Sequence, residues 1–128
     1  MSYYRTVRLG DTDAAGVVYF ATALSICHEA YEASLGGIDF KKLLGGTLAL
    51  PIVHAEIDFF RPLFCGDVLE IDLTQTRLGD DKFQVKYQVF LAQDKTHQVV
   101  AALTRHVCIE ITSRRRVTLP DFIVEWLG

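Results

Sequence analysis

The chain has 128 residues, of which 50% are hydrophobic and 23% are charged, and its formal net charge is -3 at pH 7. A chain of this length buries about two thirds of its unfolded surface, which supports one hydrophobic core, so we expect a single domain over residues 1–128. The weak negative charge argues against nucleic acid as a partner, because phosphate binding needs clustered Lys and Arg. No apolar run reaches the about 18 residues of a membrane helix, so no membrane association is expected.

The N-terminus and the cysteines indicate a cytoplasmic protein. The first residues, MSYYR, lack the basic and then apolar segments of a secretory signal. Cys27, Cys65 and Cys108 form no CxxC pair and leave an odd thiol, so neither a disulfide framework nor a zinc site is supported. His28-Glu29 is not followed by the second His of an HExxH motif, because Glu32 stands there, and no metal is expected.

The first third of the chain predicts a strand and a long helix. A strand is expected over residues 3–9, followed by a turn rich in Asp and small residues over residues 11–16. An amphipathic helix is expected over residues 20–35, with Leu24, Cys27, Tyr31 and Leu35 on its apolar side and Gly36-Gly37 at its end. A second short helix or an irregular stretch is expected over residues 39–44.

The remaining chain predicts an antiparallel sheet. Four further strands are expected, over residues 53–60, 68–77, 82–90 and 98–111. Turns at residues 78–81 and 94–97 connect the last three, and a terminal helical turn is expected over residues 120–127.

The pattern of these strands predicts one buried and one solvated face. In the strand over residues 68–77, three apolar side chains alternate with Glu70, Asp72 and Thr74, which are expected to face water. One long helix with about five antiparallel strands predicts an α+β fold in which the helix covers one face of the sheet.

Residues 11–20, DTDAAGVVYF, carry two carboxylates directly into the predicted helix N-terminus. The free N–H groups there stabilise a carbonyl oxygen that becomes negative. A carboxylate a few residues earlier can attack that carbonyl or activate a water. From the spacing alone, capping of a turn or helix by Asp11 or Asp13 is the commoner explanation.

Other polar residues also have two interpretations each. His28 lies on the apolar side of the helix and is either a buried core histidine or a functional residue. His54 and Glu56 share one face of a strand and form either a solvated pair or part of a site. The basic run at residues 114–116 is either a solvated loop or a contact for an anionic ligand. Cys27 and Cys108 are expected to pack in the core.

Taken together, these residues resemble a known active-site signature. DTDAAGVVYF is similar to that of the 4-hydroxybenzoyl-CoA thioesterase family, which has the hotdog fold of one long helix wrapped by about five antiparallel strands. The stretches ICHEAYE, LPIVHAEIDFF and CGD, at residues 26–32, 50–60 and 65–67, most resemble the cyanobacterial branch. That branch hydrolyses 1,4-dihydroxy-2-naphthoyl-CoA on the route to phylloquinone or menaquinone. The resemblance, which covers nearly the whole chain, implies a thioester hydrolase without a cofactor, since CoA is part of the substrate.

The resemblance assigns catalytic roles to three residues. Asp13 matches the catalytic carboxylate, as the second acid of DxD, and Gly16 matches the loop glycine. The backbone N–H of Phe20 is expected to polarise the thioester carbonyl. Many relatives have His or Tyr at that position, so only the backbone role carries over. Whether Asp13 attacks the carbonyl or activates a water remains open at this level.

The resemblance also implies a substrate pocket between subunits. Tyr19 and His28 are expected to recognise the ring hydroxyls, and Leu50 and His54 to line the pocket from a neighbouring subunit. The chain is therefore expected to form a homo-oligomer, which is at least a dimer and which we expect to be a tetramer.

Two questions keep alternatives: which cations bind the CoA phosphates, and which acyl group the substrate carries. Arg77 and Lys82 flank the hairpin where relatives bind the phosphates, with residues 114–116 as the alternative. A 4-hydroxybenzoyl-CoA or short-chain acyl-CoA thioesterase is a second interpretation, and a non-catalytic acyl-CoA binding module is a third.

Overall fold

A computed structural model of the protein describes residues 2–36 and 46–128. The short helix predicted over residues 39–44 lies outside the described residues. The elements in chain order are β1 (Ser2–Thr6), a 3-10 helix (Leu9–Asp11), α1 (Phe20–Ser34), β2 (Leu48–Ala49), β3 (Ile52–Phe59), β4 (Val68–Arg77), β5 (Lys82–Leu91), β6 (Asp94–Val107), β7 (Ile109–Glu110) and α2 (Asp121–Leu127).

Five of the strands form one antiparallel sheet in the order β1-β4-β5-β6-β3, and β2 pairs with β7 in a second, two-stranded sheet. The five predicted strands and the long helix are confirmed. The β2–β7 pair was not predicted, because strands of two residues leave no periodic signal. Since β1 and β3 each have one neighbour in this sheet, they are its edges.

Three element boundaries differ from the prediction by three residues or more. β1 ends at Thr6 rather than at residue 9, because the chain winds into the 3-10 helix at Leu9–Asp11. The turn between β5 and β6 lies at residues 92–93 rather than 94–97, since Asp94 already pairs with Leu91. The strand predicted to run on to residue 111 ends at Val107, and the chain then enters β7.

The helix α1 packs on one face of the five-stranded sheet. Ala23 and Ala30 are almost fully buried and have small side chains, which lets the helix approach the strands closely. Cys27, Tyr31 and Leu35 are buried as predicted, whereas Leu24 is only half-buried. The strands contribute a face of alternating apolar residues: Leu69, Ile71, Leu73, Phe83, Val85, Tyr87 and Val89.

Glu70 departs from the predicted solvated face, because it is only 5% exposed. Its carboxylate lies 2.8 Å from the Lys95 ammonium and accepts a hydrogen bond of 2.5 Å from the Tyr4 hydroxyl. These two partners lower the pKa of Glu70 below its usual range, since both stabilise the charged form. A buried charge is tolerated only when paired in this way. The prediction of a fully solvated face was therefore wrong at this position.

The C-terminal helix α2 closes the far end of α1, which confirms the predicted terminal helical turn. The Trp126 ring packs edge-on against Tyr31 and Phe83, with centroids 5.7 and 5.4 Å apart. Its indole N–H donates to the Ser34 hydroxyl at 3.2 Å. Neither of the two described helices is long and apolar enough to cross a membrane.

Candidate active site

The loop before α1 is a tight hairpin over residues 11–19. The Asp13 N–H donates to the Val17 carbonyl, and the Gly16 N–H donates to the Asp13 carbonyl, each at 3.0 Å. Gly16 has a φ of 81°, a conformation that strongly favours glycine, although the space beside its Cα is open. The predicted loop glycine is thus present in a shaping role, with no contact to the groove described below.

Asp13 itself is exposed, and one of its carboxylate oxygens accepts the Ala15 N–H at 2.9 Å. Neither aspartate caps α1, because the residue before the helix is Tyr19 and it has no side-chain cap. Each carboxylate instead accepts a backbone N–H within its own turn, Asp13 that of Ala15 and Asp11 that of Arg8, so the turn-capping interpretation is correct for both. Within the described part of the chain, the Phe20 N–H has no hydrogen-bond acceptor. The helix therefore begins with a free donor, as a site for a developing oxyanion requires.

The loop and the end of β3 enclose a groove of about 410 Å³. Asp13, Tyr19 and Phe20 are on its first wall, so the structure brings together three of the residues predicted from the sequence. The Val18 N–H donates to the Leu63 carbonyl at 2.9 Å and holds the two walls side by side. The second wall consists of Phe59, Phe60, Arg61, Pro62 and Leu63.

Sequence reasoning missed this second wall. Phe59 and Phe60 are about half exposed and present aromatic surface beside Asp13. Arg61 is an exposed cation in the same groove. Phe59 and Phe60 belong to the LPIVHAEIDFF stretch of the family resemblance, which assigns them no role, and they reach Asp13 only because the end of β3 returns to the start of α1. An apolar groove with one carboxylate, one cation and a helix N-terminus suits a carbonyl compound that has an aromatic and an anionic part.

The other predicted pocket residues lie at the opposite end of the sheet. In the β3–β6 register Ile52 pairs with His106 and Phe59 with Val100, a separation of about 23 Å along the strand. The Leu50 carbonyl lies 3.3 Å from the His106 ring, which is at the Ile52 end. Leu50 and the neighbouring His54 are therefore far from Asp13 of the same chain.

His28 belongs to this second group, because its ring packs on Tyr31, which in turn packs on the buried His106. Its side chain is 41% exposed, so it is not a fully buried core histidine, and its Nδ1 lies 3.3 Å from the Glu32 carboxylate. The Nε2 of His54 lies at the same distance from Glu56 on the exposed face of β3. Within one chain, His54 and Glu56 thus form the solvated pair that was one of the two interpretations.

The predicted phosphate contacts are also remote from the groove. Arg77 pairs with Phe83 in the β4–β5 register and donates to the Gly79 carbonyl of its own hairpin at 2.9 Å. Lys82 pairs with Val107 at the same end. Residues 114–116 are exposed in the turn after β7. Within residues 2–36 and 46–128, no three His, Cys, Asp or Glu side chains are grouped closely enough to hold a metal ion.

The cysteines do not contribute a nucleophile to the groove. Cys27 and Cys108 are buried in the core, as predicted. Burial raises the pKa of the Cys27 thiol to about 12, so this thiol stays protonated at neutral pH. Cys65 is exposed but does not line the groove. Asp13 is the only carboxylate among the described residues that line it.

Comparisons with known proteins identify the family and the fold of the chain. The sequence pattern of the thioesterase-like superfamily matches residues 7–127. The 1,4-dihydroxy-2-naphthoyl-CoA hydrolases of Gloeothece citriformis and Microcystis aeruginosa are 61% and 53% identical, over 100% of this chain and 92% and 93% of their own. The crystal structure of a 1,4-dihydroxy-2-naphthoyl-CoA thioesterase from Synechocystis superposes with a TM-score of 0.93 at 40% identity, over 98% of this chain and 93% of that one. The predicted hotdog fold is confirmed, and the chain belongs to the thioesterase-like superfamily.

Proposed function

We propose that the protein hydrolyses 1,4-dihydroxy-2-naphthoyl-CoA to 1,4-dihydroxy-2-naphthoate and CoA, a step in phylloquinone or menaquinone synthesis. The observation that carries the proposal is the groove that Asp13 shares with the uncapped start of α1. The assignment of the acyl group is based on full-length relatives named as hydrolases of this ester, of which two are 61% and 53% identical to this chain.

The groove supports two routes that use the same groups. In both, the Phe20 N–H donates to the thioester oxygen as it becomes negative. In the first, the Asp13 carboxylate adds to the carbonyl carbon, the C–S bond breaks, and water opens the resulting anhydride. In the second, Asp13 takes a proton from a water whose oxygen attacks that carbon, and the proton passes to the leaving sulfur. A non-catalytic binding module gains nothing from a carboxylate at the thioester.

Pairing of two copies through their β3 edges completes the site. An antiparallel two-fold contact places the beginning of one β3 beside the end of the other. Leu50 and His54 of the partner subunit then approach the groove of Asp13, together with the half-exposed His28 of the partner subunit. The exposed apolar side chains Ile52 and Val53 lie along this edge, and Phe59 and Phe60 lie at its end. Such a surface is unusual for a monomer.

The same pairing suggests where CoA binds. Arg61 lines the groove, while Arg77 and Lys82 lie at the end of the sheet that the partner brings toward it. The chain as a whole is slightly acidic and does not attract an anion, so binding of the CoA phosphates requires local cations. We propose Arg61, Arg77 and Lys82 for this role. Association of two dimers gives the tetramer that the family resemblance implies.

A charge on the β3 edge should separate the subunits. We expect Val53→Lys to reduce the mass in solution from an oligomer toward the single-chain 14.4 kDa, since it places a charge on the apolar part of the β3 edge that the partner covers. Light scattering coupled to size-exclusion chromatography measures this. Val68→Lys, an exposed apolar position on β4, is the matched control and should leave the mass unchanged. A wild-type protein that stays monomeric would rule out the shared site.

A panel of acyl-CoA esters tests the substrate. Hydrolysis of dihydroxynaphthoyl-CoA is compared with that of the benzoyl, 4-hydroxybenzoyl, phenylacetyl and short-chain esters, with thiol release as the signal. We expect kcat/KM to be highest for the naphthoyl ester, by about tenfold or more, since its second ring adds apolar contact with the groove. Faster turnover of 4-hydroxybenzoyl-CoA or of a short-chain ester would support the alternative thioesterase instead.

His28→Ala tests recognition of the ring hydroxyls. Loss of one hydrogen bond to the substrate should reduce the preference for dihydroxynaphthoyl-CoA over unsubstituted naphthoyl-CoA by about tenfold. The measured quantity is the ratio of the two kcat/KM values, which cancels any general loss of active protein. His97→Ala changes an exposed histidine on β6 and is the control. An unchanged ratio in His28→Ala would refute the role of His28.

A further inference from the structure

We propose that Arg5 and Asp11 form a clamp that positions the active-site loop, so that Asp13 and the Phe20 N–H act on the same thioester carbonyl. The inference rests on the proposed function and adds two positioning residues to it. Neither residue lines the groove.

The side chains of the clamp make a two-point contact away from open solvent. Arg5 on β1 contacts both carboxylate oxygens of Asp11, with N–O distances of 2.5 and 3.2 Å. The two side chains are only 19% and 13% exposed. The Arg5 guanidinium holds the pKa of the Asp11 carboxyl below its usual range, chiefly through these hydrogen bonds. A two-point contact between guanidinium and carboxylate fixes orientation as well as distance.

The main chain of Asp11 connects this contact to the catalytic groups. The Asp11 carbonyl accepts the Tyr19 N–H at 2.9 Å, and Tyr19 directly precedes Phe20. Thr12, the residue after Asp11, pairs with Val18 across the hairpin. The backbone directly before Asp13 is therefore held in place. The Asp11 carboxylate also accepts the Arg8 N–H at 2.7 Å. One residue thereby anchors both ends of the hairpin that carries Asp13.

A second ion pair of Arg5 offers a matched control. The Arg5 Nε lies 3.3 Å from the Glu29 carboxylate, which belongs to the middle of α1. Glu29→Gln removes this ion pair while leaving the contact with Asp11 intact. A purely structural role for Arg5 predicts similar effects from losing either partner, whereas the clamp predicts that only loss of Asp11 disturbs the loop.

The test compares Asp11→Asn, Arg5→Met, their double variant and Glu29→Gln. We expect Asp11→Asn and Arg5→Met to lower kcat by about tenfold to a hundredfold with KM changed less than about threefold, because misplacement affects the chemical step more than binding. The double variant should be no slower than the slower single variant, since each single variant already loses the whole contact between Arg5 and Asp11. Glu29→Gln should stay within about twofold of the wild type.

Each assay uses the acyl-CoA that the wild type hydrolyses fastest, so an error in the proposed acyl group leaves the clamp testable. Amide hydrogen exchange of residues 11–19 provides a readout independent of turnover, and should accelerate in Asp11→Asn and not in Glu29→Gln. Unchanged kcat and exchange in Asp11→Asn would overturn the clamp. The clamp would also be overturned if the double variant lowered kcat by the product of the two single effects. An equal loss of kcat in Glu29→Gln would overturn it as well. Hydrolysis of no acyl-CoA by the wild type would instead contradict the proposed function.

Discussion

Asp13→Asn should lower kcat by about a thousandfold, because an amide neither adds to a thioester nor takes a proton from water at neutral pH. The fold should be unaffected, since the amide oxygen of Asn can still accept the Ala15 N–H that the carboxylate accepts at 2.9 Å. KM should change little, because the aromatic walls of the groove remain. Steady-state hydrolysis of the preferred acyl-CoA, with the melting temperature measured alongside, checks both expectations.

The control for this variant is Asp121→Asn, an exposed aspartate in the first turn of α2. It should retain wild-type turnover. Full turnover by Asp13→Asn would contradict the enzyme mechanism proposed above. Single turnover in isotopically labelled water tests the first route: label in the Asp13 carboxylate shows an anhydride that water opened at the Asp13 carbonyl, whereas label only in the released acid is expected from either route.

The free energy of unfolding should fall by about 2 kcal/mol between pH 6.5 and pH 4.5, because His106 is buried in its neutral form. Burial lowers the pKa of this residue to about 4, whereas the unfolded chain titrates near the ordinary histidine value of 6.5. Across that window the unfolded state binds a proton that the folded state does not. Stability is therefore complete above pH 6.5 and decreases as the pH falls, by about 1.4 kcal/mol per unit.

The surroundings of His106 explain why it stays neutral. Its ring is fully buried and stacks on Phe83 with centroids 4.8 Å apart and planes 4° from parallel. Its Nε2 lies 2.9 Å from the Thr104 hydroxyl, which contacts the Tyr87 hydroxyl at 3.1 Å, and its Nδ1 lies 3.3 Å from the Leu50 carbonyl. No described carboxylate is within ion-pair distance to stabilise an imidazolium.

Chemical denaturation at pH 7, 6, 5 and 4.5 measures the effect, with His106→Gln as the comparison. Removal of the titrating ring should flatten the pH dependence above pH 4.5, even if the variant is less stable throughout. Below that pH, the paired carboxylates Asp11 and Glu70, whose pKa values are lowered, lose their charge and contribute a separate decline. Equal slopes in both proteins would contradict the assignment. NMR titration of the His106 ring in the folded wild type tests the low pKa directly.

Local sequence patterns predict the helices and strands and the chemical groups on the first wall of the groove. Alternation in the strands over residues 68–77 and 82–90 and the 3.6-residue periodicity before Gly36 are local patterns, so the matching elements and the α+β class could be predicted. The DTDAAGVVYF stretch placed Asp13, Tyr19 and Phe20 together because they are neighbours along the chain. The burial of Glu70 could not be predicted, since its partners Tyr4 and Lys95 are distant in sequence.

Which residues lie together in the groove depends on how the strands pair. Strand register brings Phe59, Phe60 and Arg61 to Asp13, although about 50 residues separate them along the chain. Leu50 and His28 lie at the opposite end of the sheet, near His106, so in the proposed dimer they approach the groove of the partner subunit. A periodic pattern records which face of an element is buried. The meeting of distant residues depends on how strands pair, and no local pattern contains that information.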